Sequence, residues 1–184
     1  MPLGYPAITE NKPVLAYIGL GANLDDPVAQ LRRALTGLDA LEEVEVQRVS
    51  GFYRNPPLGP PDQPWYVNAV AKLRTRLTPE ELLRALRHLE TEMGRVRGER
   101  WGPRIIDLDL LLYDGEVLDT PELVLPHPEM HRRAFVLAPL AEIAPEAWHP
   151  RLQKSAAQLL MELDPADREV LQPLEVEETA ACPV

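Results

Sequence analysis

The chain has 184 residues, 45 % hydrophobic and 26 % charged, which suits one globular domain and excludes wholesale disorder, collagen or a coiled coil. Nineteen basic residues against 29 acidic give a net charge of −10, which argues against a nucleic-acid partner, because phosphate neutralisation needs a basic face. The lone cysteine, Cys182, excludes an internal disulfide framework and a cysteine zinc site, and no apolar run approaches the ~20 residues of a membrane span, so a cytoplasmic protein with no membrane partner is expected.

Residues 1–13, with Pro2, Pro6 and Pro13, read as a loose lead-in without a secretory pattern. Residues 14–19 are an apolar run, a first strand. Asp26-Pro27 offers an N-cap and a first-turn proline, and Val28, Leu31, Leu35, Leu38 and Leu41 follow at helical spacing. Residues 44–53 read as a second strand. Residues 54–64 hold five prolines and a glycine, so they form neither helix nor central strand. Residues 65–75 alternate: Trp65, Val67, Ala69, Ala71 and Leu73 share one face, and Tyr66, Asn68, Val70, Lys72 and Arg74 the other. Thr78-Pro79-Glu80-Glu81 is a capping box opening a helix that runs through Leu82, Leu86 and Leu89 to Gly94.

A basic loop, 95–104, leads into a strand at 105–113. Asp114-Gly115 is a hairpin turn, with 116–118 as that strand's short partner. A loop at 125–131 turns helical at Pro128, and 134–144 and 155–163 read as helices. Residues 14–165 form the domain. From 155 to 184 Arg168 is the only base against seven acids, so 166–184 is expected to be an acidic, partly disordered tail. The order predicts a two-layer α+β sandwich.

Chemistry concentrates at Asp107-Leu108-Asp109. Strand alternation buries Ile106, Leu108, Leu110 and Leu112 and puts both carboxylates on the opposite face, Cα atoms ~7 Å apart at a rise of about 3.3 Å per residue. Hard oxygen ligands so placed suit one or two Mg²⁺ ions bridged by phosphates. A solvated edge or an arginine-neutralised pair stays open on these residues alone. Arg84, Arg87, Arg95, Arg97, Arg100 and Arg104 lie within 21 residues of this acidic chain, and Arg132 and Arg133 follow. Glutamates at helical spacing account for Arg84 and Arg87, whereas the loop holds only Glu99. Together the two signals point to phosphoryl transfer. There is no GxxxxGK[ST] loop, no dinucleotide fingerprint after Gly19-Leu20-Gly21, no HExxH and no GxSxG.

Arg54-Asn55-Pro56-Pro57-Leu58-Gly59, Asp62-Gln63-Pro64 and Tyr66-Val67-Asn68-Ala69 resemble the pterin-side signature of the 6-hydroxymethyl-7,8-dihydropterin pyrophosphokinases. Gly94-Arg95-Val96-Arg97, Glu99-Arg100-Trp101-Gly102-Pro103-Arg104 and Asp107-Leu108-Asp109 are similar to that family's ATP and metal signature. Gly19-Leu20-Gly21-Ala22-Asn23-Leu24 is similar to its first strand and turn, and Pro126-His127-Pro128, Arg133 and Phe135 to its later segment. Asn55 stands where the best-known members carry threonine, and the loop between Arg97 and Arg100 is one residue shorter than in some relatives.

The resemblance implies a ferredoxin-like fold with a mostly antiparallel sheet and flanking helices. It implies Mg-dependent transfer of pyrophosphate from ATP to the hydroxymethyl group of the reduced pterin, releasing AMP, in folate biosynthesis. Asp107 and Asp109 would hold two Mg²⁺ ions, with Arg97 and Arg104 on the phosphates and catalytic beside them. Glu90, Arg97, Arg100, Trp101, Arg104, Leu110, His127 and Arg133 would form the ATP site. Asn55, Pro56, Pro57, Leu58, Tyr66, Asn68, Asp107 and Phe135 would hold the pterin, stacked between Tyr66 and Phe135. ATP and the pterin are then the small-molecule partners, and a monomer is expected. The competing readings are a non-catalytic nucleotide-binding module of the same fold and another Mg-dependent phosphoryl transferase.

Overall fold

The structure, a computed structural model, describes residues 12–95 and 102–175. Arg97, Arg100, Trp101 and Cys182, and most of the lead-in, lie outside the described residues. The chain builds β1 (Val14–Ala22), α1 (Pro27–Asp39), β2 (Val44–Val49), β3 (Phe52–Asn55), β4 (Tyr66–Thr75), α2 (Pro79–Glu92) and β5 (Asp107–Tyr113). β1 lies between β4 and β5, and β2 and β3 share the far edge of β4, every pairing antiparallel. That is the ferredoxin-like arrangement.

Helix starts follow the caps. The Asp26 side chain accepts from the Ala29 N–H at 3.1 Å, and Thr78 and Glu81 form a reciprocal capping box. Both helices cover one sheet face, where Ile18, Leu31, Leu38, Leu73, Leu82 and Leu86 are fully buried. Each such side chain contributes about 1.5–3 kcal/mol. Gly37 lets α1 approach α2, because a Cβ there would lie 2.5 Å from Leu89 Cδ1. The opposite face is covered at one end by α3 (Ala134–Ile143), over Tyr17, Val70, Leu111 and Leu112. Its other end stays open and becomes the site. No helix among the described residues is long and apolar enough to cross a membrane.

Four expectations change. The strand expected at 44–53 is two strands, because the register against β4 slips by one residue at Ser50-Gly51, where Ser50 Oγ accepts the Val70 N–H at 2.9 Å. In β5 a bulge leaves Leu111 without a partner on β1: Ile18 faces Leu110 and Tyr17 faces Leu112. Leu112 therefore joins Leu111 under α3 rather than extending the Leu108–Leu110 face. The partner expected for β5 at 116–118 instead forms β6 (Leu118–Asp119), paired with β7 (Val124–Leu125), because Thr120 and Leu123 close that ribbon through reciprocal bonds of 3.0 Å.

The tail expected from 166 is structured to 175. After β8 (Trp148–His149), β9 (Lys154–Ser155) and α4 (Ala156–Glu162), α5 (Pro165–Glu169) leads to β10 (Gln172–Leu174). β10 pairs with β3, bringing Leu174 opposite Phe52. Strand pairing over Gln172–Leu174, with Leu174 against the core, holds this acidic segment.

Replacing Gly37 by Ala adds helix propensity of roughly 1 kcal/mol but forces Leu89 from its seat. The expected net result is a loss of about 1–2 kcal/mol, read as a lower urea midpoint with an unchanged m-value.

Candidate active site

Two glycines in β1 create the site. Gly19 and Gly21, two residues apart, present the same face at the centre of the sheet. Across the strands, Tyr53, Asn68, Gly21 and Asp107 form one row, and Val70, Gly19 and Asp109 the next. The missing side chains leave a trough between β4 and β5. It opens into a cavity of about 490 Å³ lined among others by Asn55, Leu58, Tyr66, Asn68, Arg104 and Phe135. Asp107, Asp109, His127 and Arg133 line it too. A Cβ on Gly21 would lie 2.7 Å from Asn68 Oδ1.

Asp107 and Asp109 are 35 % and 40 % exposed in their side chains, enough to meet a ligand while sharing one concave wall. Burial pushes both carboxyls above their ordinary range, Asp109 adds to the push on Asp107, and Arg95, Arg104 and Arg133 pull both down. Glu90, on α2, is buried and accepts the Leu108 N–H at 2.7 Å. Arg95 binds Glu90 and reaches Asp107 Oδ1 at 2.7 Å. The guanidinium thus clamps the first carboxylate to the helix behind it and leaves Asp109 without such a clamp.

His127 follows β7. Its N–H donates to Leu111 O at 2.9 Å, and Arg151 Nε donates to the preceding Leu125 O at 3.3 Å. Nδ1 accepts the Glu129 N–H at 3.2 Å, so in the neutral ring Nε2 carries the hydrogen, 4.0 Å from Asp109 Oδ2. Burial and the Arg133 charge bring its pKa down to about 4. On the β4 side, Asn68 Nδ2 donates to Asn55 Oδ1, and Asn55 Nδ2 to Pro56 O at 2.9 Å. Tyr66 donates its hydroxyl to Gly102 O at 3.1 Å. Arg133 lies 5.8 Å from the Phe135 ring centre. One end of the cavity is thus aromatic and amide-rich, and the other charged.

The residues named from the sequence divide. Arg104, Asp107, Asp109, His127, Arg133, Asn55, Leu58, Tyr66, Asn68 and Phe135 come together around one cavity. Leu110 does not: alternation turns its side chain into the helix-side core, leaving only its backbone toward the site. Glu90 stands behind the wall and acts through Arg95, and Pro56 and Pro57 are half-buried in the loop without lining the cavity. Gly19, Gly21, Val70 and Val136 are among the lining residues that the sequence reading did not assign to the site. Glycines at i and i+2 within a strand were the available signal for the first two.

Residues 17–145 match the family model of 7,8-dihydro-6-hydroxymethylpterin-pyrophosphokinase. The chain belongs to that family. It is similar to the 2-amino-4-hydroxy-6-hydroxymethyldihydropteridine pyrophosphokinase of Haemophilus influenzae, 49 % identical over 140 residues covering 76 % of this chain and 88 % of that protein. The Pseudomonas aeruginosa enzyme of the same name is 51 % identical over 130 residues, covering 71 % and 80 %. Among solved structures, the Plasmodium falciparum HPPK-DHPS S436F/A437G/A613S triple mutant overlays with a TM-score of 0.66 at 16 % identity, over 84 % of this chain. This chain spans about half the length of that protein, 45 %, and the likeness speaks for the fold alone.

Removing Glu90 strands a buried N–H and half of Arg95's anionic partners. Glu90→Ala is expected to cost about 3 kcal/mol, and Glu90→Gln clearly less because an acceptor remains for Leu108. Urea unfolding of the two variants compares the costs; equal losses would show that the buried acceptor is not what Leu108 requires.

Proposed function

We propose that this chain transfers pyrophosphate from ATP to the hydroxymethyl group of 6-hydroxymethyl-7,8-dihydropterin, giving AMP and the pterin diphosphate, a step of folate biosynthesis. The observation that carries the reading is the two-ended cavity: amide and aromatic groups on the β4 side, paired carboxylates with arginines on the β5 side. Membership of the pyrophosphokinase family supports it.

Asn68, held by Asn55, faces the edge of a flat heterocycle, with Tyr66 and Phe135 available to stack. Arg104 and Arg133 meet phosphate oxygens in forked geometry. The hydroxymethyl oxygen then forms its bond to the β-phosphorus as the bond from that phosphorus to the bridging oxygen of AMP breaks. The hydroxyl proton leaves to solvent. Placement and charge neutralisation carry the rate, so no covalent enzyme intermediate is needed. Neutral His127 directs its Nε2 hydrogen into the charged end, so it donates without adding a proton to be lost.

Among the described residues no three His, Cys, Asp or Glu side chains gather as a metal group. Asp107 and Asp109 nevertheless fit Mg²⁺: two hard, mutually repelling carboxylates, only one of them clamped by Arg95, facing a space that phosphate oxygens would share. They would hold the ions, which when bound neutralise phosphate charge and acidify the attacking hydroxyl.

The test is AMP formation from ATP and Mg²⁺. AMP is expected only when the reduced pterin is present, together with the pterin diphosphate; ADP as product would overturn the reading. Asp109→Asn is expected to lower kcat roughly a thousandfold without lowering the melting temperature, because removing one of two repelling charges relieves the folded state. Near-normal turnover would remove the metal assignment. Gly21→Ala is expected to raise the KM for the pterin about tenfold through Asn68, with the KM for ATP within twofold of wild type.

A further inference from the structure

Asn23 lies in the turn after β1 and is 2 % exposed, with every polar group of its side chain engaged. Nδ2 donates to Pro64 O at 3.1 Å and to Gln63 Oε1 at 3.4 Å. Oδ1 accepts the Arg104 N–H at 2.8 Å. Its own N–H and that of Leu24 donate to Arg104 O at 3.0 and 3.3 Å. One buried amide thus joins the end of the proline loop, just before Tyr66, to the end of the arginine segment, just before β5. Tyr66, whose hydroxyl donates to Gly102 O, spans the same gap.

The stems enter the common core only at Val67 and Ile106, and outside it the bonds of Asn23 and Tyr66 join them with a fixed direction. A primary amide both donates to a carbonyl and accepts from an N–H at fixed spacing, which carboxylate and alkyl groups do not. The two stems serve different substrates under the function proposed above: Tyr66 and Leu58 on the pterin side, Arg104 on the phosphate side. We propose that Asn23 is a positioning residue that couples the two halves of the site, so that order gained at one stem when its substrate binds is passed to the other. This rests on the proposed function, because it takes the two ligands to be ATP and the reduced pterin. Coupling of this kind is reciprocal: each substrate must raise affinity for the other by the same factor.

Asn23→Asp is the decisive variant. It keeps an acceptor for Arg104 and turns the donation to Pro64 O into repulsion between oxygens. Calorimetry gives the Kd of the reduced pterin alone and with a saturating non-hydrolysable ATP analogue and Mg²⁺. Wild-type protein is expected to bind the pterin at least about fivefold more tightly with the analogue present. In the variant the ratio is expected to fall within twofold of one, while affinity for the analogue alone changes less than threefold. A framework role without coupling would weaken each ligand and leave the ratio intact, which would overturn the proposal, as would a wild-type ratio of one.

If wild-type protein binds neither ligand, the proposed function itself fails. If it binds both and only the ratio is insensitive to Asn23, the function stands and the coupling falls. A second measurement needs no variant. In wild-type protein the ATP analogue alone is expected to slow amide exchange at Asp62, Gln63 and Trp65, across the Asn23 bridge from Arg104. Unchanged exchange there would also overturn the proposal.

Discussion

The site depends on an absence of atoms at the centre of the sheet. β1 passes between the strand that carries Asn68 and the strand that carries Asp107 and Asp109, and on the face opposite α1 and α2 it contributes hydrogen at positions 19 and 21. Any larger residue at 21 would occupy the space of the Asn68 amide. The same strand's other face shows the opposite demand: Ala16, Ile18, Leu20 and Ala22 are buried against α1 and α2. Period-two alternation thus lets one strand anchor the principal core and floor an active site, with no conflict between the tasks.

The electrostatics follow from that trough. Asp107 and Asp109 sit on adjacent same-face positions of one strand: burial raises the proton affinity of both, Asp109 raises that of Asp107 further, and neither gains from packing. The fold tolerates them through asymmetric compensation. Asp107 is tied to Arg95 and through it to buried Glu90, which also receives the Leu108 N–H and so fixes the strand itself. Among the described residues Asp109 has no such clamp, and the charges of Arg133, Arg95 and Arg104 act on it. One carboxylate is therefore tied to the framework, and the other faces the cavity without such a tie among the described residues. The helix-side core carries the stability that this arrangement gives up.

Much of this was legible in the sequence because it rests on periodicity. The two faces of β4, the caps of α1 and α2, and the shared face of Asp107 and Asp109 come from local rules that the packing respects. What was not legible came from long-range pairing. The slip at Ser50-Gly51, the bulge at Leu111 and the docking of β10 on β3 are set by partner strands more than a dozen residues away, and nothing local encodes them. Leu110 shows how the levels interact. The resemblance puts it at the ATP site, and alternation puts its side chain in the core; both hold if its backbone, not its side chain, faces the ligand. The bridging bonds of Asn23 were not legible for a related reason: an asparagine in a turn reads as turn chemistry, and its partners at 63, 64 and 104 are distant in sequence.

The loops around the site extend the argument. A trough floored by glycines provides space but no grip, so recognition has to come from segments that rise above the sheet. Those segments cannot bury an apolar core of their own without filling the cavity. They are held instead by hydrogen bonds with a fixed direction: Asn55 to Asn68, Tyr66 to Gly102, Arg151 to the strand end before His127, and Asn23 to both stems at once. Amide and guanidinium groups suit this task because they set angle as well as distance and keep their bonds when water is excluded. Bonds of this kind keep each described stem in place. Transfer between two bound substrates needs such placement, since the reacting atoms must be aligned.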